Sequence, residues 1–527
     1  KDKDGNAVNN NFEVHTNDDG NVIIGYEAYN TGDYKGTYEE KDKTFNNIYL
    51  NDYTTASSVK GYMWVEDVEQ LQAINTNLGG NYALRNSIDA TGTEQSGFNP
   101  IGLNNYGKVI INNEGKYGFS GKFDGIDYNI FGLNINQPDE TNVGLFGVAH
   151  DANINNVTLV GGSITGGSVV GSVVGAALGN THITNATNSA SVTGNTDVGG
   201  IVGYSGDELD NVGDSGSDIT GIDTNSHFTN LVNTGIVHSK GESDGNGGIV
   251  SNAGGLIGYM YNGKLDGNSY NLGDVSGDGY NVGGLVGHAV NSTIGDGTNL
   301  VYNRLDVTGK YNVGGIVGNM EGTTVQNAEN SGNVTATGYT TGEYTYHTGE
   351  TNLYNIPNAK LNDDGTATTS VNIANVGGIA GKADDTVKTD GTIDKKSEIK
   401  NVTNSGNVSS SKQAGNDYYD AGNVGGIVGS AVDTNITNAT NRENEVRGAH
   451  NVGGVAGYFG NSNDNNSIKY TINRGINDGG DIMATGARKG SSFVTEIIRP
   501  VNKNQTEKFI IGNIGGMLVI WMEIMYI

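Results

Sequence analysis

The chain has 527 residues, among them 85 Gly, 73 Asn, 4 Pro and no Cys. Collagen is excluded, because no Gly-X-Y period runs through it and Pro is nearly absent; the 35% hydrophobic content falls in short β-prone clusters, which argues against disorder. A formal net charge of −28 repels nucleic acid and anionic lipid, so neither is expected as a partner, and without Cys there is no disulfide framework or thiolate metal site.

In chain order, residues 1–62 alternate weakly and read as an N-terminal β-rich segment, such as the tail of a preceding domain. The first residue is Lys1 and no signal-like stretch follows it, so the chain reads as a mature form or a fragment. Residues 63–140 read as an opening cassette. The pattern over 65–78 predicts a short helix, and the rest reads as strands joined by Gly and Asp turns.

From residue 141 to 516 one hexapeptide recurs. It is VGGIVG at 198–203, AGGLIG at 253–258, VGGLVG at 282–287 and VGGIVG at 313–318. It returns as VGGIAG at 376–381, VGGIVG at 424–429 and VGGVAG at 452–457, with weaker copies at 143–147, 170–175 and 514–516. The steps between copies are 28, 28, 55, 29, 31, 63, 48, 28 and 62 residues. The unit is therefore 28–31 residues, and the long steps carry insertions or skip a copy. A second element follows each anchor, for example NATNSASVTG at 185–194 and NVTNSGNVS at 401–409. Its Asn and Gly residues suit turns with positive φ. The unit then holds about three short strands and no helix.

Such a period fits one coil of a solenoid better than a four-stranded propeller blade. The expected fold is an all-β, right-handed parallel β-solenoid, or β-helix, of roughly ten or more coils stacked about 4.8 Å apart. Gly is expected where neighbouring layers approach too closely for a side chain. Which residues of VGGIVG face inward stays open, because a bulge at the Gly pair would switch the alternation. Segments 204–229, 339–373, 384–398 and 459–508 read as insertions that leave the register intact. Two stretches are rich in Tyr and acid: EYTYHTGETNLY at 343–354 and DYYDAG at 417–422.

Residues 517–527, MLVIWMEIMYI, break the repeat. A membrane anchor is one reading, but 510–527 is short, carries Glu523 and lacks basic flanks. The favoured reading is a frameshift. Back-translated with A/T-rich codons and read two bases on, the tail becomes VGYMDGNNV, which continues the repeat.

Chemistry is sparse. No His opens an HExxH zinc motif: His15, His150, His182, His227, His238, His288, His347 and His450 are none of them followed by Glu. No P-loop is present, and GxG patterns carry no weight in so Gly-rich a chain. Asp207, Asp210, Asp214 and Asp218 offer oxygen ligands for Ca²⁺, but without EF-hand spacing they read first as a solvated loop. Paired carboxylates on a β-helix face would suit a polysaccharide hydrolase or lyase, yet acids here are scattered. No catalytic, cofactor or metal residue is assigned, and no enzymatic activity is expected. The insertion tyrosines are the best ligand candidates, by ring stacking on sugars or as interface anchors; stacking within the solenoid is the alternative.

The anchors, above all GGLIG at 254–258 and GGLVG at 283–287, resemble the GLUG-repeat family. The lead-in, QLQAIN, YALRNSIDATG, GFNPIG and FSGKFDGIDYNIFGLNIN, is similar to segments before such repeats in filamentous-haemagglutinin-like exoproteins. The resemblance runs from about residue 63 to 516. It implies a secreted or cell-surface bacterial adhesin or stalk that meets a glycan or protein of a host or neighbouring cell, with no membrane span. The alternatives are a subunit of a self-assembling extracellular filament and a polysaccharide-degrading enzyme.

Overall fold

The computed structural model describes residues 12–16, 22–26, 60–212, 217–484 and 514–515, with breaks at 244–248, 338–340, 346–367, 372–373, 388–392, 411–421, 449–450, 461–470 and 480. It is a parallel β-solenoid. One coil shows the plan: a lead strand His182–Thr184, a ladder strand Thr187–Asn188, a return strand Ser191–Gly194, an anchor strand Asp197–Gly199 and a floor strand Val202–Gly206. Each pairs in parallel with its equivalent in the next coil. Ten return strands form one sheet, about 43 Å of rod at the usual spacing.

Five short strands per coil replace the expected three, for local reasons. Asn185, with φ 56°, bends the chain between lead and ladder strands, and the Gly pair of the anchor separates anchor from floor. In Ser397–Asn404 and Thr434–Arg442 lead and ladder run on as one strand, although Asn401 (φ 54°) and Asn438 (φ 51°) keep the same bend.

The long repeat steps are single coils. Val198 pairs directly with Ala253, Val313 with Val376, Val376 with Val424 and Val452 with Ile514. No coil is skipped, and the extra residues leave the rod and return to it. Three expected insertion boundaries shift accordingly, 384–398 to 385–396 because Asp384 and Ser397–Glu398 stay in the ladder. The first insertion is 207–226, because the floor strand Val202–Gly206 and lead strand His227–Thr229 stay in the ladder. The stretch 459–508 contains a coil's own strands, Ile472–Asp478 and Asp481–Ala484.

The anchor's orientation is now fixed. Val198, Ile201 and Val202 are fully buried in the continuous core. A methyl on Gly200 would overlap Gly255 O of the next coil and the side chain of Asn233 across the core; one on Gly255 would meet Gly284 O and Asn271 in the same way. The second Gly of most anchors is therefore confined by the next coil's backbone carbonyl and by a buried Asn.

Those Asn residues form a column: Asn188, Asn233, Asn271, Asn303, Asn330, Asn404 and Asn441, all fully buried. Each donates Nδ2 to the Oδ1 of the next, at 2.8–2.9 Å. Asn271 uses its whole amide: it donates to Asn303 Oδ1 (2.9 Å) and Gly273 O (2.6 Å), and accepts from Asn233 Nδ2 (2.8 Å) and Gly273 N (3.2 Å). A buried amide with all four bonds made escapes the usual desolvation penalty. A second column, Asp197, Asn252, Asn281, Asn312, Asn375, Asn423 and Asn451, runs along the anchor strands, each Nδ2 donating back to the preceding coil.

The opening cassette covers the N-terminal end of the core. The predicted helix forms at Val68–Ala73, N-capped by Asp67, and continues as a 3₁₀ turn through Ile74–Thr76. Leu71 and Ile74 are fully buried. Phe119 and Phe123 pack on Phe146 of the first floor strand at 4.8 and 5.3 Å between ring centroids, and Ile101 and Phe119 bridge to that strand in parallel. The floor-strand edge of the first coil is thus partly paired, whereas the first return strand, Asn134–Gln137, ends its sheet with one strand neighbour. Residues 517–527 lie outside the described residues.

Candidate functional site

The insertions are not spread evenly around the coil. Four leave the chain between return and anchor strands, within 240–251, 337–373, 411–421 and 485–513; three leave it between floor and lead strands, within 207–226, 385–396 and 461–471. Both corners bound the same surface, the outer face of the anchor and floor strands. Insertions thus leave the coil on both flanks of this face, which we call the trough. On one side the hairpin built on Thr386–Val387 and Ile393–Lys395 folds back along the rod, where Thr386 Oγ1 donates to Asn291 Oδ1 (2.9 Å) and Lys395 Nζ to Asn291 O (2.5 Å).

In the trough, one outward position of the floor strand holds Val148, Ala176, Tyr204, Tyr259, His288, Asn319, Lys382, Ser430 and Tyr458 in successive coils. The position two residues on holds Tyr261, Val290, Glu321 and Asp384 in the middle coils. At the N-terminal end this face is roofed: Val148, Ala176 and Leu178 form a small core with Leu103, Val109 and Leu209, against which Tyr117, Tyr204 and Ile222 pack. The polar stretch begins at Tyr259.

There, titratable groups gather. Asn319 Nδ2 donates to Glu321 Oε1 (2.9 Å) and lies 3.1 Å from His288 Nε2, which is itself 3.4 Å from Glu321 Oε1. Hydrogen bonding from His288 holds the Glu321 carboxyl down at about 2, with Asn319 and the charge of Lys382 assisting against burial. One coil on, Lys382 Nζ is 3.4 Å from Asp384 Oδ2. Burial pushes the Asp384 carboxyl up, helped by Asp433 and opposed by Lys382. Glu321 and Asp384 occupy the same register position on neighbouring strands, so two adjacent carboxyls are driven in opposite directions. Perturbed carboxyls beside a base in a trough mark a candidate site.

The residues singled out from sequence fall elsewhere. Asp210 and Asp218 lie in the antiparallel hairpin Leu209–Val212/Ser217–Ile219 of the first insertion, Asp207 precedes it, and Asp214 lies outside the described residues. Among the described residues, no three His, Cys, Asp or Glu side chains are grouped to hold a metal ion. The insertion tyrosines from 346 to 354 and from 417 to 421 lie outside the described residues, as do His347 and His450. Other tyrosines stack on one another, coil to coil: Tyr270 on Tyr302 at 4.7 Å and 3°, and Tyr204 on Tyr259 at 5.2 Å and 8°. Arg304 covers the far face of the Tyr270–Tyr302 stack, 4.6 Å from the Tyr302 centroid, while holding Glu329 at 2.6 Å. These rings present edges, not open faces, so the stacking alternative describes them.

His227 joins a second polar group. Its Nε2 is 2.9 Å from Asp266 Oδ2, Lys264 lies 2.5 Å from the same oxygen, and Thr229 Oγ1 donates to Oδ1 (2.8 Å). Burial favours a protonated Asp266, but Lys264, His227 and Thr229 together hold it below the usual carboxylate range. This group satisfies itself and leaves no oxygen of Asp266 turned to a ligand.

His288, Glu321, Lys382 and Asp384 were not singled out from sequence. The signal was positional: they stand four or six residues after the second Gly of their anchors.

Among the described residues no helix is long and apolar enough to cross a membrane. No protein-family model matches the chain. Over 173 residues it is 34% identical to halomucin of Haloquadratum walsbyi, a match covering 32% of this chain and 2% of that far longer protein. Among solved structures, a Bacteroides ovatus protein described as a "putative immunoglobulin A1 protease" aligns at 16% identity and a TM-score of 0.34, over 51% of this chain and 75% of that one.

Proposed function

We propose that the protein is a secreted or cell-surface rod built from GLUG-type repeats, an adhesin or the stalk that displays one, which binds its partner in the trough. The carrying observation is that all seven long insertions leave at the two corners bounding one face, while the longest connection at the other corners of the regular coils is the six residues 295–300. A pure spacer has no need of such sidedness. The similarity to halomucin over 173 residues supports surface or extracellular placement. The opening cassette packed on the first floor strand favours a stalk over a filament growing from that end, and we assign binding rather than turnover to the trough.

The test is electron microscopy of the purified protein, with cell-binding assays on variants in which 385–396 or 411–421 is replaced by a short Gly-Ser turn. Unbranched rods, with binding lost in the shortened variants, support the reading. Long polymers at low concentration favour the filament. Cleavage of a polysaccharide that disappears in Glu321→Gln overturns the assignment of binding alone.

A further inference from the structure

We propose that His288, Asn319, Glu321, Lys382 and Asp384 form a subsite for a neutral, hydroxyl-rich glycan chain lying along the rod axis. This deepens the adhesin reading and rests on it.

A polar side chain in the group lacks a partner. Asn319 is only 6% exposed, and its Oδ1 is buried with no hydrogen-bond partner among the described residues. Its Nδ2 is spent on Glu321 and faces His288 of the preceding coil. In a planar amide the oxygen then turns the other way, toward the coil that carries Lys382. A buried acceptor left unmade costs about 1–3 kcal/mol, a cost relieved when the amide turns toward an arriving hydroxyl donor.

The same groups select the ligand class. A divalent cation is disfavoured, because the Lys382 ammonium already sits against Asp384. Uronic or sulfated chains meet Glu321, Asp384 and Asp433 on a molecule of net charge −28. An apolar ligand would strand every one of these groups. Hydroxyls fit: they donate to Glu321, to Asp384 and to Asn319 Oδ1, and accept from Lys382. Glu321, fixed by His288 and Asn319, is a pre-set charged acceptor of the kind that makes strong hydrogen bonds.

The geometry adds a direction. Glu321 and Asp384 are the same position one coil apart, as are Asn319 and Lys382. Their spacing of about 4.8 Å is close to the length of one sugar unit in an extended chain. A glycan parallel to the axis would place successive sugars over successive coils, with Tyr259 and Tyr261 flanking it on the N-terminal side.

The experiment is calorimetric titration of the full chain with neutral glucose-, mannose- and N-acetylglucosamine-based oligosaccharides of increasing length, with a uronic acid oligomer as the contrasting probe. Expected are binding of at least one neutral series, affinity that rises with length over the first three or four sugars, and loss of about tenfold or more in Glu321→Gln and Asn319→Ala. Thermal melts verify that both variants fold, and Tyr302→Ser on the ladder face leaves affinity unchanged. Wild-type affinity in both trough variants overturns the subsite while sparing the adhesin reading. Preference for the uronic oligomer overturns the ligand class. Absence of any oligosaccharide binding by a protein that still binds cells overturns the glycan assignment alone, and loss of cell binding as well removes both.

Discussion

Two columns of side chains run along this rod only a few residues apart in each coil, and they obey opposite rules. The ladder column is Asn in seven consecutive coils, from Asn188 to Asn441. The floor column changes from Val148 through Tyr259, His288, Asn319 and Lys382 to Tyr458. Inside, each Asn has no water, and its partners are its own copies above and below; a change in one coil strands groups in two others. Outside, solvent replaces the missing partner, so each coil is free to differ. Sameness along the axis marks what holds the rod together, and difference along the axis marks where it has room to recognise something.

The sharpest way to break this contrast is to put a floor-like change into the ladder. Asn271→Leu strands Asn233 Nδ2, Asn303 Oδ1 and both backbone groups of Gly273. At about 1–3 kcal/mol per buried group left unmade, the loss is expected to reach about 3 kcal/mol or more. It should appear as a lower denaturant midpoint and as lost amide-exchange protection confined to the flanking coils, because stacked repeats open locally. Equal protection in Asn271→Leu and wild type would remove the structural claim for the column.

Next in size is Gly315→Ala. The new methyl overlaps Gly378 O and the Asn330 amide, so the coil must shift to admit one carbon. Overpacking of this kind costs about 1–3 kcal/mol. Pairing it with Asn330→Ala tests the reason given for the glycine: removal of the opposing amide is expected to recover part of the loss, a coupling that a double-mutant cycle reads directly.

Much of the fold was legible because its strongest constraint is steric and repeats in plain sight: the anchor Gly pair must be Gly in almost every coil. Ser172, the exception, shows the rule's margin, since its hydroxyl finds Gly200 O at 2.5 Å. The ladder Asn were harder to place. An Asn two residues before Gly, as at Asn233 or Asn271, reads as a turn residue, and only the coil-to-coil register shows its side chain turned inward. The sidedness of the insertions was out of reach, since sequence distance does not say which corner a loop leaves. The trough cluster escapes the repeat, because a repeat marks what is constant, and His288, Glu321, Lys382 and Asp384 are what varies.

The smallest effect tests the floor. Glu321 has its carboxyl lowered to about 2 in the fold, so it stabilises the native state above its ordinary range, and that contribution fades as pH falls from about 4.5 toward 2. Asp384 is raised; its protonated form is the favoured one, so its contribution is present at low pH and is lost as pH climbs through its folded value. The two neighbours therefore pull the stability curve in opposite directions. Glu321→Gln is expected to lower stability at pH 7 and to converge with wild type in acid. Asp384→Asn, which mimics the protonated form, is expected to be neutral or slightly stabilising at pH 7. Both changes should stay under about 1 kcal/mol, because each carboxylate is about a third exposed (35% and 31%) and solvent screens it. Thermal melts from pH 3 to 8 read the sign. Parallel pH profiles for the two variants would mean that the pair is not split, and the floor would lose its claim to differ from an ordinary solvated face.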